Sequence, residues 1–84
     1  MTAHTVDIAE VVERLVAPLL SQPDDLTITS RMRETTAILT LRVAPEDGGR
    51  LIGRGGETIR SIRTIVEYAA RRVGATVQIE LQDA

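Results

Sequence analysis

Cysteine is absent from this 84-residue chain, and so are lysine, phenylalanine and tryptophan. Without cysteine there is no disulfide framework and no thiolate metal site, and His4, the sole histidine, cannot build a metal site by itself. Tyr68 is the only aromatic residue, so the chain has no aromatic surface on which bases could stack. No nucleophile is paired with a base, and the many carboxylates are scattered over positions that look exposed, which speaks against an enzyme. No cofactor, metal or small-molecule substrate is expected. The N-terminus has neither the basic start nor the apolar core of a signal peptide, and no run approaches the roughly 18 apolar residues a membrane span needs. The expectation is a soluble, cytoplasmic protein.

What is present is aliphatic: isoleucine, leucine and valine in numbers that suit one small core, near the size at which a single core only just supports folding. Self-association or a partner would help such a domain. The net charge of −2 argues against a general nucleic-acid binder, yet its distribution matters more than its sum. Residues 1–49 carry four arginines against eight acids, and residues 73–84 carry two acids and no base. Residues 50–72 reverse the balance, with six arginines (Arg50, Arg54, Arg60, Arg63, Arg71 and Arg72) against Glu57 and Glu67, a local charge of +4. On charge alone, a solvated basic helix face accounts for this as well as a ligand does.

Periodicity divides the chain into six elements. Thr5 is a suitable N-cap for a first helix in which Ile8, Val11, Val12, Leu15 and Leu19 recur at helical spacing, and Pro18 should end or kink it. Turn chemistry at Ser21 to Asp25 precedes two strands. Leu26 to Arg33 places Leu26, Ile28 and Met32 on one face, and Thr36 to Val43 does the same for Ala37, Leu39, Leu41 and Val43. Arg33-Glu34-Thr35 connects them as a hairpin. Pro45 opens a short helix with Glu46 and Asp47 facing its dipole, and Leu51-Ile52 closes it. A long amphipathic helix follows, with Ile59, Ile62, Val66, Ala69, Ala70 and Val73 within about 100° on the wheel. Gly74 ends that helix, and Thr76 to Leu81 alternates as a third strand. The order α-β-β-α-α-β implies an α+β fold: a hairpin, then a crossover making strands two and three parallel, with the helices on one face of a three-stranded mixed sheet.

The segment Leu51-Ile52-Gly53-Arg54-Gly55-Gly56-Glu57-Thr58-Ile59 carries the most specific signal. Gly53 and Gly56 have no side chain, so a sugar-phosphate backbone can approach the main chain, while the next helix offers unpaired N–H groups and a positive dipole end. Arg54 adds a mobile cation and Gly55 keeps the tip small. A Gly-Gly pair also serves simply to break one helix from the next. A Walker A loop requires Gly-Lys-Ser/Thr, and a dinucleotide fingerprint requires a strand directly before the glycines, where helix is expected here. The turn is similar in shape to the GXXG loop that clamps single-stranded RNA backbone in KH modules.

Arg50 to Ile59, followed by Ile62-Arg63-Thr64-Ile65-Val66, resembles the small bacterial single-KH-domain RNA-binding proteins of the KhpA family. Pro18 to Asp24 and Val43 to Asp47 resemble other recurrent segments of that family; Gly48 departs from it, where a larger residue is usual. The resemblance spans nearly the whole chain, residues 1–84 being taken as one KH domain. It implies the type II KH topology and sequence-tolerant RNA binding. It also implies pairing with a second KH protein of the Jag (KhpB) type, with roles in RNA regulation, RNA chaperoning and cell-envelope growth. Carried over, Gly53, Arg54, Gly55 and Gly56 form the phosphate clamp and Ile52 belongs to an apolar floor, with the last strand closing the groove. Arg50, Arg60 and Arg63 are candidates by charge; for Arg63 an ion pair with Glu67 competes with RNA contact.

A second stripe on the long helix, Ser61, Ile65, Tyr68 and Arg72, lies outside the core sector. Ile65 falls roughly 80° and Tyr68 roughly 140° from the core direction. Single exposed apolar residues are ordinary, but an Ile-Tyr pair in so short a domain is a reasonable seam for a homodimer or heterodimer. A protein-interaction adaptor working through this stripe is the alternative to an RNA binder.

Overall fold

Asp7, not Thr5, caps the first helix: its carboxylate accepts from the backbone N–H of Ala9 at 3.1 Å and of Glu10 at 3.4 Å, and Thr5 lies outside the described residues. The computed structural model describes residues 7–82. Helix α1 (Ile8–Val16) passes at Pro18 into a 3₁₀ turn (Ala17–Leu19), and a second 3₁₀ turn (Pro23–Asp25) leads into the sheet. Strands β1 (Thr27–Arg33) and β2 (Thr36–Arg42) form the hairpin; α2 (Pro45–Ile52), a 3₁₀ turn (Arg54–Gly56) and α3 (Glu57–Arg72) form the crossover to β3 (Thr76–Gln82). The sheet runs β1-β2-β3, antiparallel in the first pair and parallel in the second, the α+β architecture expected from the sequence. Both β1 and β3 are edges.

Three apolar positions differ from expectation, each for a local reason. On α1 the buried stripe is Val12, Val16 and Leu20, while Leu19 is exposed. A 3₁₀ turn advances about 120° per residue rather than 100°, so the Pro18 turn swings Leu20 inward and Leu19 out. Met32 sits on the helix side of β1 but beyond the helices' reach, and is 65% exposed. Val73, meant to extend the α3 stripe, is the C-cap and points out. There the chain leaves the helix in a Schellman turn, with Ala75 N–H donating to Ala70 C=O at 2.8 Å and Gly74 N–H to Arg71 C=O at 3.0 Å.

The core otherwise forms as the periodicities require: Leu39, Leu41 and Val43 from β2, Val77 and Ile79 from β3, and Ile59, Ile62, Val66 and Ala70 from α3 are all buried. Glu34, at the first position of the two-residue hairpin loop, has φ +57°, a left-handed conformation that disfavours a side chain of this kind. Glu34→Gly is expected to raise stability by about 0.5 kcal/mol, since the strain relieved exceeds the added freedom of the unfolded chain. Chemical denaturation measures this, and a lower midpoint would contradict it.

Candidate nucleic-acid interface

Helix α2 ends at Ile52, and Gly53 turns the chain away with φ +79° and ψ 171°, a region open in practice only to glycine. Its N–H still bonds back to Gly49 C=O at 2.9 Å, and its own carbonyl accepts from Gly56 N–H at 3.1 Å. Gly55 (φ +65°) and Gly56 (φ +74°) follow in the left-handed region, and α3 begins at once. No side chain caps α3; the Glu57 N–H donates to Arg54 C=O within the 3₁₀ turn, and the positive end of the 16-residue helix faces the loop.

The glycines do different work. A Cβ on Gly53 would lie 2.7 Å from the Thr58 Cβ and 2.9 Å from its backbone nitrogen, so α3 itself fills the space in front of this residue. A Cβ on Gly55 would meet nothing within 4 Å. Closeness to an incoming backbone is therefore available at Gly55, whereas Gly53 is required by the packing of the turn.

Arg54, Gly55, Arg60 and Ile52 gather at this end of the molecule, all exposed. Arg60 is not a free cation, however: its Nη2 donates to Gly55 C=O at 3.2 Å and braces the loop. Arg50, one turn back on α2, has its Nε 3.9 Å from the Asp47 carboxylate, a long pairing between an exposed arginine and a buried carboxylate. Arg63 stands apart from the loop. It reaches the β3 edge and shares a depression with Leu81 and Gln82. The ion pair to Glu67 is not formed.

Asp47 corrects the expectation that the carboxylates are all exposed. It is 0% accessible, and its Oδ1 accepts from the Ser21 N–H at 2.9 Å and the Ser21 hydroxyl at 2.8 Å while Oδ2 accepts from the Gln22 N–H at 3.0 Å. The Ser21 N–H holds this carboxyl below the ordinary value of 3.8 against the opposing effect of burial, with Gln22, the Ser21 hydroxyl and Arg50 adding to the lowering. The segment after α1 is thereby tied to the helix that carries the glycine loop. A carboxyl with a depressed folded-state pKa stabilises above its unfolded value near 3.9, and that stability is lost as pH falls through the folded value. Asp47→Asn would turn an NH₂ toward a backbone donor, so its thermal midpoint at neutral pH should fall and its stability should vary less than wild type below about pH 4. A wild-type midpoint at pH 7 would contradict this.

On the far side of α3, Ile65 is 50% and Tyr68 57% exposed, with Ser61 and Arg72 exposed beside them, as the helical wheel requires. Arg71, which the sequence placed in no site, lies with its guanidinium carbon 6.0 Å from the Tyr68 ring centroid. Among the described residues no helix is long and apolar enough to cross a membrane.

The loop, its two helices and the parallel strand after them are the parts a KH unit requires, and the family model described as "KhpA/KhpB, KH domain" matches residues 9–81. The chain belongs to the KhpA/KhpB KH-domain family. It is 38% identical over 74 residues to the RNA-binding protein KhpA of Streptomyces coelicolor, covering 88% of this chain and 90% of that one. The RNA-binding protein KhpA of Clostridium perfringens is 36% identical over 72 residues, with 86% and 96% covered. That of Borreliella burgdorferi is 35% identical over 74 residues, covering 88% and 90%. In this KH chain the matched span contains every candidate residue, from Arg50 to Arg72, together with Asp47, all of β1 and all of β3 but its last residue.

Proposed function

We infer that this KH chain is a non-enzymatic RNA-binding protein that holds single-stranded RNA by its sugar-phosphate backbone at Gly53–Gly56. The observation that carries the reading is the open space over Gly55 beside exposed Arg54, at the uncapped start of α3. The relatives named as RNA-binding proteins support it. Arg54 supplies the cation, Arg60 keeps the loop in shape, and Ile52 offers apolar surface beside it; Arg63 extends the groove to β3, and Arg50 is a weaker contributor. The working unit is the KH domain of residues 1–84, acting in the cytoplasm in post-transcriptional regulation or as an RNA chaperone. Each phosphate contact adds only about −0.7 to the log–log salt slope, so affinity is modest for one copy and rises when two sites are linked.

The Ser61, Ile65, Tyr68 and Arg72 stripe serves that linkage, joining two copies or one copy and a Jag/KhpB-type KH protein. The exposure of Ile65 and Tyr68 on one face supports it. Ile65→Asp should give a folded monomer; an unchanged sedimentation mass at the same concentration would remove the assignment. The same two residues favour a second reading, an adaptor that binds only protein. Crosslinking in cells with the wild type and the loop variant described below distinguishes the two: RNA recovered with the wild type alone supports the clamp, and protein partners without RNA support the adaptor.

A further inference from the structure

The four arginines of residues 1–49 read as isolated bases in an acidic stretch, but the sheet register puts three of them on one surface. Leu39 and Leu41 face the helices, so Ile38, Thr40 and Arg42 face the other way. Arg31 is opposite Ile38, Arg33 opposite Thr36, and Glu80 of β3 opposite Thr40, which places all of them on the helix-free face of the sheet. Among the strand residues of that face stand Arg31, Arg33 and Arg42 and the acid Glu80, with Glu34 in the hairpin loop after Arg33, whereas Glu10 and Glu13 lie on α1 in the helix layer. Arg42 shares its end of the face with Asp24 and Asp25 and is discounted for that reason.

Arg31 leans across β2 to Glu80 at 3.5 Å, with the arginine side chain mostly exposed and that of Glu80 partly so. Its aliphatic stem helps explain why Ile38 is fully buried on a face without helices. The Thr40 hydroxyl, enclosed beside this pair, has no hydrogen-bond partner among the described residues. Arg63 comes round the β3 edge into the same depression as Arg31, Thr29 and Thr40. A continuous run of guanidinium and hydroxyl donors therefore leads from the α3 side of β3 onto the open face.

We propose that the open face of the sheet is a second surface for the nucleic-acid backbone, reached from the glycine loop past Arg63 and held by Arg31 and Arg33. It rests on the RNA-binding reading of that loop. An exposed Arg–Glu pair contributes little to stability, so a phosphate can take the place of Glu80 on Arg31 at small cost. A strand too short to pass the β3 edge uses the loop alone; a longer one uses both.

The test titrates wild type, an Arg31→Gln/Arg33→Gln variant and the loop variant with single strands of about four nucleotides, the length a KH loop clamps, and about three times that length. At two contacts and about 0.7 each, the Gln variant should lower the salt slope for the long strand by about 1.4 and leave the short strand unchanged. The loop variant should weaken both. A long-strand slope equal to wild type in the Gln variant overturns the proposal. If the same variant instead alters the sedimentation mass without RNA, the face belongs to a second copy, which also overturns it. Failure of the loop reading shows separately, as short-strand binding retained by the loop variant.

Discussion

Substituting both Arg54→Asp and Gly55→Asp is expected to reduce binding of a short single-stranded RNA by at least about tenfold while leaving the thermal midpoint nearly unchanged. The loss follows from charge: a guanidinium that pairs with phosphate becomes a carboxylate, and a second carboxylate enters the space the backbone would occupy. One charge-assisted hydrogen bond is worth about 1.5–3 kcal/mol, which sets the lower limit. The fold should tolerate the change. No atom of the described residues lies within 4 Å of a Cβ on Gly55; the strain of a side chain at φ +65° is smaller for aspartate than for most residues and is offset in part by the lower freedom of the unfolded chain. Arg54 is exposed and forms no ion pair among the described residues. Fluorescence anisotropy beside a thermal melt measures both halves; RNA binding within twofold of wild type would contradict the assignment.

Gly53→Ala should do the opposite, acting on the stability of the fold before it tests the ligand. Alanine is strained at φ +79° and ψ 171°, and its Cβ would press into Thr58, including the backbone nitrogen of α3. Backbone strain of about 1–3 kcal/mol and an overpacking term of similar size act together. A domain of this length has a stability of only about 4–12 kcal/mol, so a loss on the order of 3 kcal/mol is severe. Urea denaturation should show a clearly lower midpoint. A midpoint matching wild type would mean that α3 shifts to admit the methyl group, and that Gly53 is dispensable to the turn.

The element order was legible because each element has its own period, and the crossover length dictated the parallel pairing of β2 and β3. The GXXG turn and the exposure of Ile65 and Tyr68 were legible for the same reason, since local spacing determines both. What escaped depends on register between distant segments. Asp47 looked like an ordinary first-turn acid because its partners, Ser21 and Gln22, lie 26 and 25 residues earlier. Alternation leaves Ile38 off the apolar face of its strand, and its burial follows from the register that sets Arg31 opposite it. Alternation along β1 already puts Arg31 and Arg33 on one face, but that Ile38, Thr40 and Glu80 share that face with them follows only from the register of the sheet. Leu19 was misplaced by a single 3₁₀ turn, which changes the angular step and so the face of every later residue in the helix. Arg60 showed its charge in the sequence but not its bond to Gly55.

The most direct test of a backbone clamp at the glycine loop is a titration of isotope-labelled protein with a short single-stranded RNA, followed by amide NMR. The account predicts that the largest shifts fall on Gly53, Arg54, Gly55, Gly56 and the first turn of α3, with smaller ones at Arg63 and β3. Shifts confined to Ile65, Tyr68 and their neighbours, or none at saturating RNA, would contradict it.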